Sequence, residues 1–273
     1  MPAVALAFAI AAAFLHAFWN LLLARARDPE AATAVMLLFA LVFYAPVAAL
    51  TWHLERPVIP YLVVTAFLQL AYAALLAAAY RRAELSVVYP ISRGTAPVLV
   101  LLVGIAVLGA ASSAHQAAGV CLVGLGILLV RGVRGKADPV GVIFGLVLAG
   151  FIAAYTLVDK YGIRYAAPFA YLELSMILPG VGYTLVLVRL RGWRSLAAEV
   201  GPSTALAGLA TFGAYGLVLA ALARAPAASV AAIRETSIVI ATGFAAFALR
   251  ERVGVVRFGG AVLVAVGVAL ISL

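Results

Sequence analysis

Charge is what this sequence has least of: Asp, Glu, Lys and Arg supply 11% of its 273 residues, against 67% hydrophobic side chains and a mean hydropathy of +1.18. Soluble domains carry roughly 25% charged residues, so too few charges are present to cover a water-facing surface. Cysteine is nearly absent. The only one, Cys121, lies inside an apolar run and excludes an intrachain disulfide and any multi-cysteine metal site. His16, His53 and His115 stand apart without metal-ligand spacing, and no HExxH, GxSxG or Walker pattern occurs. No cofactor, no metal and no enzyme or nucleotide-driven pump is therefore expected.

What is present is long apolar runs, each able to cross ~30 Å of hydrocarbon as a helix rising 1.5 Å per residue. Ten spans are read, at 3–24, 32–52, 59–80, 87–108, 114–131, 139–159, 168–189, 203–222, 229–249 and 254–272. The fold class is an all-α integral membrane protein. Strands of a barrel would alternate over about ten residues, whereas these blocks are continuously apolar. The first run lacks a basic start, which distinguishes it from a secretory signal and predicts that it is retained. Little sequence is left between spans for a soluble domain, so the membrane region must carry the function.

The net charge of +9 belongs to the loops and does not imply a nucleic-acid partner. Connections after odd-numbered spans hold Arg25, Arg27, Arg81, Arg82, Arg131, Arg134, Lys136, Arg189, Arg191, Arg194, Arg250 and Arg252; the others hold Arg56, Lys160, Arg164 and Arg224. Twelve against four puts the odd connections in the cytoplasm and the termini outside.

The chain is also written twice. ISRGTAPVLVLL from Ile91 aligns with AIRETSIVIATG from Ala232, bringing Arg93 onto Arg234 and Thr95 onto Thr236. The same offset pairs Gly119 with Gly260 and Gly126 with Gly267, and a two-residue shift pairs Tyr72 with Tyr215. Five spans per half is an odd number, so the second half enters the membrane from the opposite side. An inverted repeat of this kind, here 1–136 and 137–273, puts a ligand site near the midplane between the halves and permits alternating access.

The halves resemble the ten-helix drug/metabolite transporter superfamily of EamA type, carried by RETSIVIATGFAAFALRERV, with its Gly middle and Leu-x-Glu end. The Arg-Glu-Thr-Ser entry and aromatic interior look most like bacterial amino-acid exporters of the YddG type. In the first half Ala110 stands where Glu251 stands in the second, which departs from a symmetrical glutamate pair. The resemblance implies transport of a small molecule across a bacterial inner membrane, and cytosolic termini, opposite to the charge count.

Several polar residues are candidates for touching a substrate. His16, Trp19 and Asn20 share one face of the first span, as do Gln69, Tyr72 and Tyr80 of the third. Tyr44, Tyr155, Tyr215 and Ser237 complete the set. Polar side chains inside a membrane face partners or water; the bland reading is interhelical contact worth about 1 kcal/mol. Arg93 and Arg234, with Glu235 and Tyr89, are read as a gate or proton-coupling group with one arginine near each mouth. The competing reading is that the arginines snorkel to opposite interfaces. Pro90 and Pro97 predict a helix break in the fourth span, and Asp159 and Lys160 are read as interfacial.

Glycines of the fifth and tenth spans suit close helix packing, with a homodimer face or a scaffold edge as their use. A cavity of His, Asn, Gln, Tyr and Trp suits a small amphipathic solute, and a zwitterionic amino acid, aromatic or neutral, fits best. The alternatives are another cargo on the same fold (drug, sugar or nucleotide-sugar) and an intramembrane enzyme.

Overall fold

The computed structural model describes residues 1–83, 85–131, 139–240, 243 and 254–272. Its helices are α1 (Ala3–Leu23), α2 (Pro29–Leu50), α3 (Ile59–Arg82), α4 (Leu85–Ala106), α5 (Ala114–Arg131), α6 (Pro139–Gly162), α7 (Pro168–Arg191), the short α8 (Trp193–Ala197), α9 (Pro202–Leu222), α10 (Ala227–Arg234) and α11 (Val255–Ser272). Among the described residues, seven helices are long and apolar enough to cross a membrane, and Ala114–Val130 and Phe258–Ile271 are shorter apolar helices. The chain is a multi-pass, all-helical membrane protein. Several helices begin on proline at their first turn, where the missing N–H is not needed.

Apolar side chains face outward over much of the surface, with Phe14, Val42, Phe67, Leu185 and Phe258 exposed. In water such a surface would aggregate. In a bilayer it is the solvated one. Polar loops close the two ends. At one end residues 51–55 meet 163–167, with Glu55 N–H donating to Tyr165 O at 2.8 Å and Ala167 N–H to His53 O at 2.9 Å. This holds the end of α2 and start of α3 beside the end of α6 and start of α7.

At the other end Asp28 caps α2. Its carboxylate accepts from the N–H groups of Glu30 and Ala31 at 3.1 and 3.2 Å, and from Arg191 of α7 at 2.9 Å. Burial works against the Asp28 charge, but the hydrogen bonds from Ala31 and Arg191 outweigh it and leave its pKa below the usual carboxylate value. A depressed carboxylate stabilises the fold above its unfolded pKa and loses that contribution as pH falls through the folded one. Asp28→Ala should therefore cost about 1 kcal/mol at neutral pH. Thermal unfolding of the two proteins should converge as pH drops below the ordinary aspartate range; a constant gap would mean that Asp28 acts only by packing.

In the middle, α5 packs along α11, α1 along α9, and α6 along α4 and α3. The helices α2 and α7 pack against each other and also flank α9 and α3 respectively, while α10 lies against α4 and α1. Gly119, Gly126, Gly260 and Gly267 face one another: a Cβ on Gly119 would lie 2.6 Å from the carbonyl oxygen of Gly267, and one on Gly126 the same distance from that of Gly260. These small residues are used inside one chain, not on a face left for a second copy. On the other side of α5, Gly124 approaches Gly94 of α4 equally closely.

The expected break in the fourth span is absent: α4 runs unbroken through Pro90 and Pro97. Proline removes a donor without stopping the helix when the ring and freed carbonyl are sheltered by neighbours, and both prolines are buried. The break falls instead in the ninth span, where no proline stands.

Candidate functional site

The ninth span begins as α10 and stops after eight residues, a length of about 12 Å at 1.5 Å per residue. Glu235 N–H turns back to Ala232 O at 3.2 Å and Thr236 N–H to Ile233 O at 3.0 Å, one residue short of the α-helical partner. The Thr236 hydroxyl donates to the same Ile233 carbonyl at 2.7 Å. Local side-chain bonding of this kind competes with the helix. Helical bonding resumes with Ile238 N–H to Glu235 O and Ile240 N–H to Thr236 O. Residues 241–242 and 244–253, including Glu251, lie outside the described residues.

At this break sit the two repeat-related arginines. Arg234 donates to Glu235 Oε1 from Nη2 at 2.9 Å and Nε at 3.2 Å, and Arg93 reaches the same oxygen from α4 at 3.3 Å. Arg93, Arg234 and Glu235 are 9%, 4% and 1% exposed. Snorkelling is thus not what these arginines do. Nor does each guard its own mouth: both point inward to one carboxylate. Arg93 also lies over the ring of Tyr89, 5.4 Å from its centroid, a cation–π contact. Two buried guanidinium groups share one glutamate; in the alignment that sets Arg93 on Arg234, Gly94 stands opposite Glu235.

Beside the triad runs a row of tyrosines. Tyr72 of α3 meets Tyr155 of α6 edge to face at 6.1 Å, and Tyr155 meets Tyr215 of α9 at 6.4 Å. Tyr215 then donates its hydroxyl to Asp159. Asp159 is fully buried and also accepts from Thr65 at 2.7 Å and Tyr171 at 2.9 Å. This corrects the interfacial reading of Asp159. Lys160, next to it, points elsewhere and donates to Leu222 O and Ala225 O where α9 ends; its cation meets the carbonyls left over at a helix C-terminus.

The remaining candidates divide. His16 and Trp19 pack edge to face at 4.9 Å, and the charges of Arg93 and Arg234 act on His16. His16 Nε2, Trp19 Nε1, Gln69 Nε2 and Glu173 Oε2 are buried polar atoms without a hydrogen-bond partner among the described residues. Buried polar atoms are normally satisfied, and exceptions call for a water, an ion or a ligand. Asn20, by contrast, spends its amide on His16 O at 2.6 Å, within its own helix. Tyr44 donates to Leu209 O and stacks on Phe169 at 5.3 Å, joining α2, α7 and α9. Ser237 is buried just past the break. The Tyr80 side chain lies outside the described residues.

Sequence reasoning missed Thr65, Asp159 and Tyr171. A threonine and a tyrosine near span ends carry no signal of their own, and the adjacent lysine made Asp159 look like half of a surface pair.

The fold is that of a multi-pass helical membrane protein with charged and aromatic groups gathered inside. The EamA-like transporter family model matches residues 3–132 and again 139–273, and the chain belongs to that family. It is accordingly a membrane transporter of the drug/metabolite type. One solved structure, described only as the crystal structure of a protein, shares the fold with a TM-score of 0.79 over 98% of both chains at 16% identity. No curated protein matches the sequence significantly.

Proposed function

We propose that this chain is a ten-span transporter of two inverted five-helix repeats, 1–136 and 137–273, that exports amino acids, aromatic or neutral, across a bacterial inner membrane by alternating access. The inverted repeat is supported by the packing. Exchanging the halves turns the α1–α9 contact into α6–α3 and α2–α9 into α7–α3, while α2–α7, α4–α10 and α5–α11 map onto themselves. The glycine seam obeys the same operation: adding 141 carries Gly119 to Gly260 and Gly126 to Gly267, so the Gly119–Gly267 contact becomes Gly260–Gly126.

The cargo reading rests on one observation. A buried Arg93–Glu235–Arg234 group stands at a helix break, in a core where His16, Trp19 and Gln69 present unpartnered polar atoms. A zwitterion uses both signs. Its carboxylate meets the guanidinium charge in excess of the one glutamate, its ammonium meets Glu235 or an aromatic face, and an apolar or aromatic side chain can lie against Trp19 and the tyrosine row. A broken helix supplies free backbone groups for such a ligand.

Uptake into proteoliposomes tests this, with labelled aromatic and aliphatic amino acids compared with a sugar. Saturable amino-acid flux is expected. Trp19→Ala should weaken apparent affinity about tenfold, the worth of one aromatic contact at ~1–1.5 kcal/mol. Sugar flux without amino-acid flux would move the cargo to another class.

A further inference from the structure

Glu235 is a poor proton carrier as it stands. Two guanidinium groups hold one of its oxygens, and protonating it would leave both cations buried without a counter-charge. Asp159 is built differently. Among the described residues no Lys, Arg or His nitrogen pairs with it; its partners are three hydroxyls, from Thr65, Tyr171 and Tyr215. A hydroxyl can donate or accept by rotating. The same cage therefore satisfies a carboxylate and a carboxylic acid without moving a charged side chain.

We propose that Asp159 is the proton-binding site of the transport cycle, taking the proton on Oδ2. Its Oδ1 already accepts from both Thr65 and Tyr171, while Oδ2 accepts only from Tyr215, so rotation of that one hydroxyl frees Oδ2 for a proton. On uptake the new O–H donates to the Tyr215 oxygen, whose own hydroxyl proton turns away towards the tyrosine row. Among the described residues the groups facing Asp159 are Thr65 of α3, Tyr171 of α7, Tyr215 of α9 and Arg234 of α10, whose charge acts on Asp159; Arg93 of α4 is engaged by Glu235, and Lys160 of α6 by carbonyls.

Thr65 comes from the first half of the chain and the other partners from the second. Protonation turns the charge-assisted Thr65–Asp159 bond between the halves into a neutral one of roughly half the strength. A proton thereby loosens a contact between the bodies that must move in alternating access, and to that extent the inference rests on the reading above. Tyr215 also joins Asp159 to Tyr155 and Tyr72, so a cargo lying against that row senses the same site.

The test is pH-difference infrared spectroscopy of the full chain in vesicles of zwitterionic lipid, with no cargo added. Wild type should show a carboxylic-acid C=O band on acidification. Asp159→Asn should lack it, and Tyr215→Phe and Thr65→Val, which keep the carboxyl but remove a partner, should shift its frequency. The amide bands of the same spectra show whether each variant is folded. If Asp159→Asn fails to fold, the band shifts of the two partner variants decide. Identical titration in wild type and Asp159→Asn, or no shift in either partner variant, overturns the proposal. So does a band that follows replacement of potassium by sodium at fixed pH. Because no cargo is used, a failed amino-acid flux assay and a failed infrared titration are separate results.

Discussion

Glu235→Leu should destabilise the protein by about 3–5 kcal/mol, the penalty for removing one partner of a buried ion pair, and sharply lower the yield of monodisperse protein in detergent. The reason is geometric. Arg93 and Arg234 direct their guanidinium groups at one carboxylate oxygen, at 3.3 and 2.9 Å, and neither is more than 9% exposed. Without Glu235 the interior holds two cations. Asp159 sits in its own cage of three hydroxyls and, among the described residues, pairs with neither arginine.

A triple variant, Glu235→Leu with Arg93→Met and Arg234→Met, should recover most of the lost stability, since buried ionic groups exchanged together for apolar ones of similar volume are often neutral or better. Transport by that variant should nevertheless be lost. Recovery of the fold without recovery of flux would separate what the triad does for structure from what it does for cargo. A single Glu235→Leu protein as stable as wild type would show instead that the arginines relax to water or lipid head groups. The triad would then be no fixed part of the core.

The triad also shows where sequence reading stops. Hydropathy alone placed helices close to their observed ends, because a segment of ~20 apolar residues has few alternatives in a bilayer. The repeat reading rests on matched Arg, Tyr and Gly positions, since agreement between apolar residues means little, and the family model matches the chain twice, over 3–132 and 139–273. His16, Trp19 and Gln69 stood out in the sequence because polar side chains on a span avoid lipid, and each carries a buried polar atom with no partner among the described residues. The helix break was misplaced because Pro90 and Pro97 were given more weight than Thr236, Ser237 and Gly243, which soften the ninth span. In α4 the prolines are absorbed, while in the ninth span a threonine hydroxyl and two tight backbone bonds end α10. Asp159 was misread because a charge four residues before a loop looks interfacial in one dimension. Its cage comes from α3, α7 and α9, up to 94 residues away, and no spacing rule brings those residues together.

Substituting the glycine seam should have an effect as large as removing Glu235. Gly119→Leu would put a Cβ 2.6 Å from the Gly267 carbonyl oxygen, and Gly260→Leu one 2.7 Å from both the Gly126 carbonyl oxygen and the Val130 nitrogen. The obstructing atoms are backbone, so no rotamer change relieves them. The helices α5 and α11 must separate along their length, and the loss should reach or exceed the upper part of the ~1–3 kcal/mol range for overpacked cores. Much of what holds helices together in lipid is close packing of this kind, since lipid tails leave little hydrophobic drive between them. Gly150→Leu on α6, with nothing within 4 Å of the added Cβ, is the control and should be nearly silent.

The two seam variants together test more than sterics. Gly119 and Gly260 are related by the proposed exchange of halves, so Gly119→Leu and Gly260→Leu should lower the thermal midpoint in detergent by similar amounts. The double variant should lose less than the sum, because both open one interface. Unequal single losses would mean that one half is the scaffold and the other merely leans on it. Equal losses with less than additive combination are what a two-fold seam requires, because each glycine then contributes the same close approach to the single α5–α11 interface.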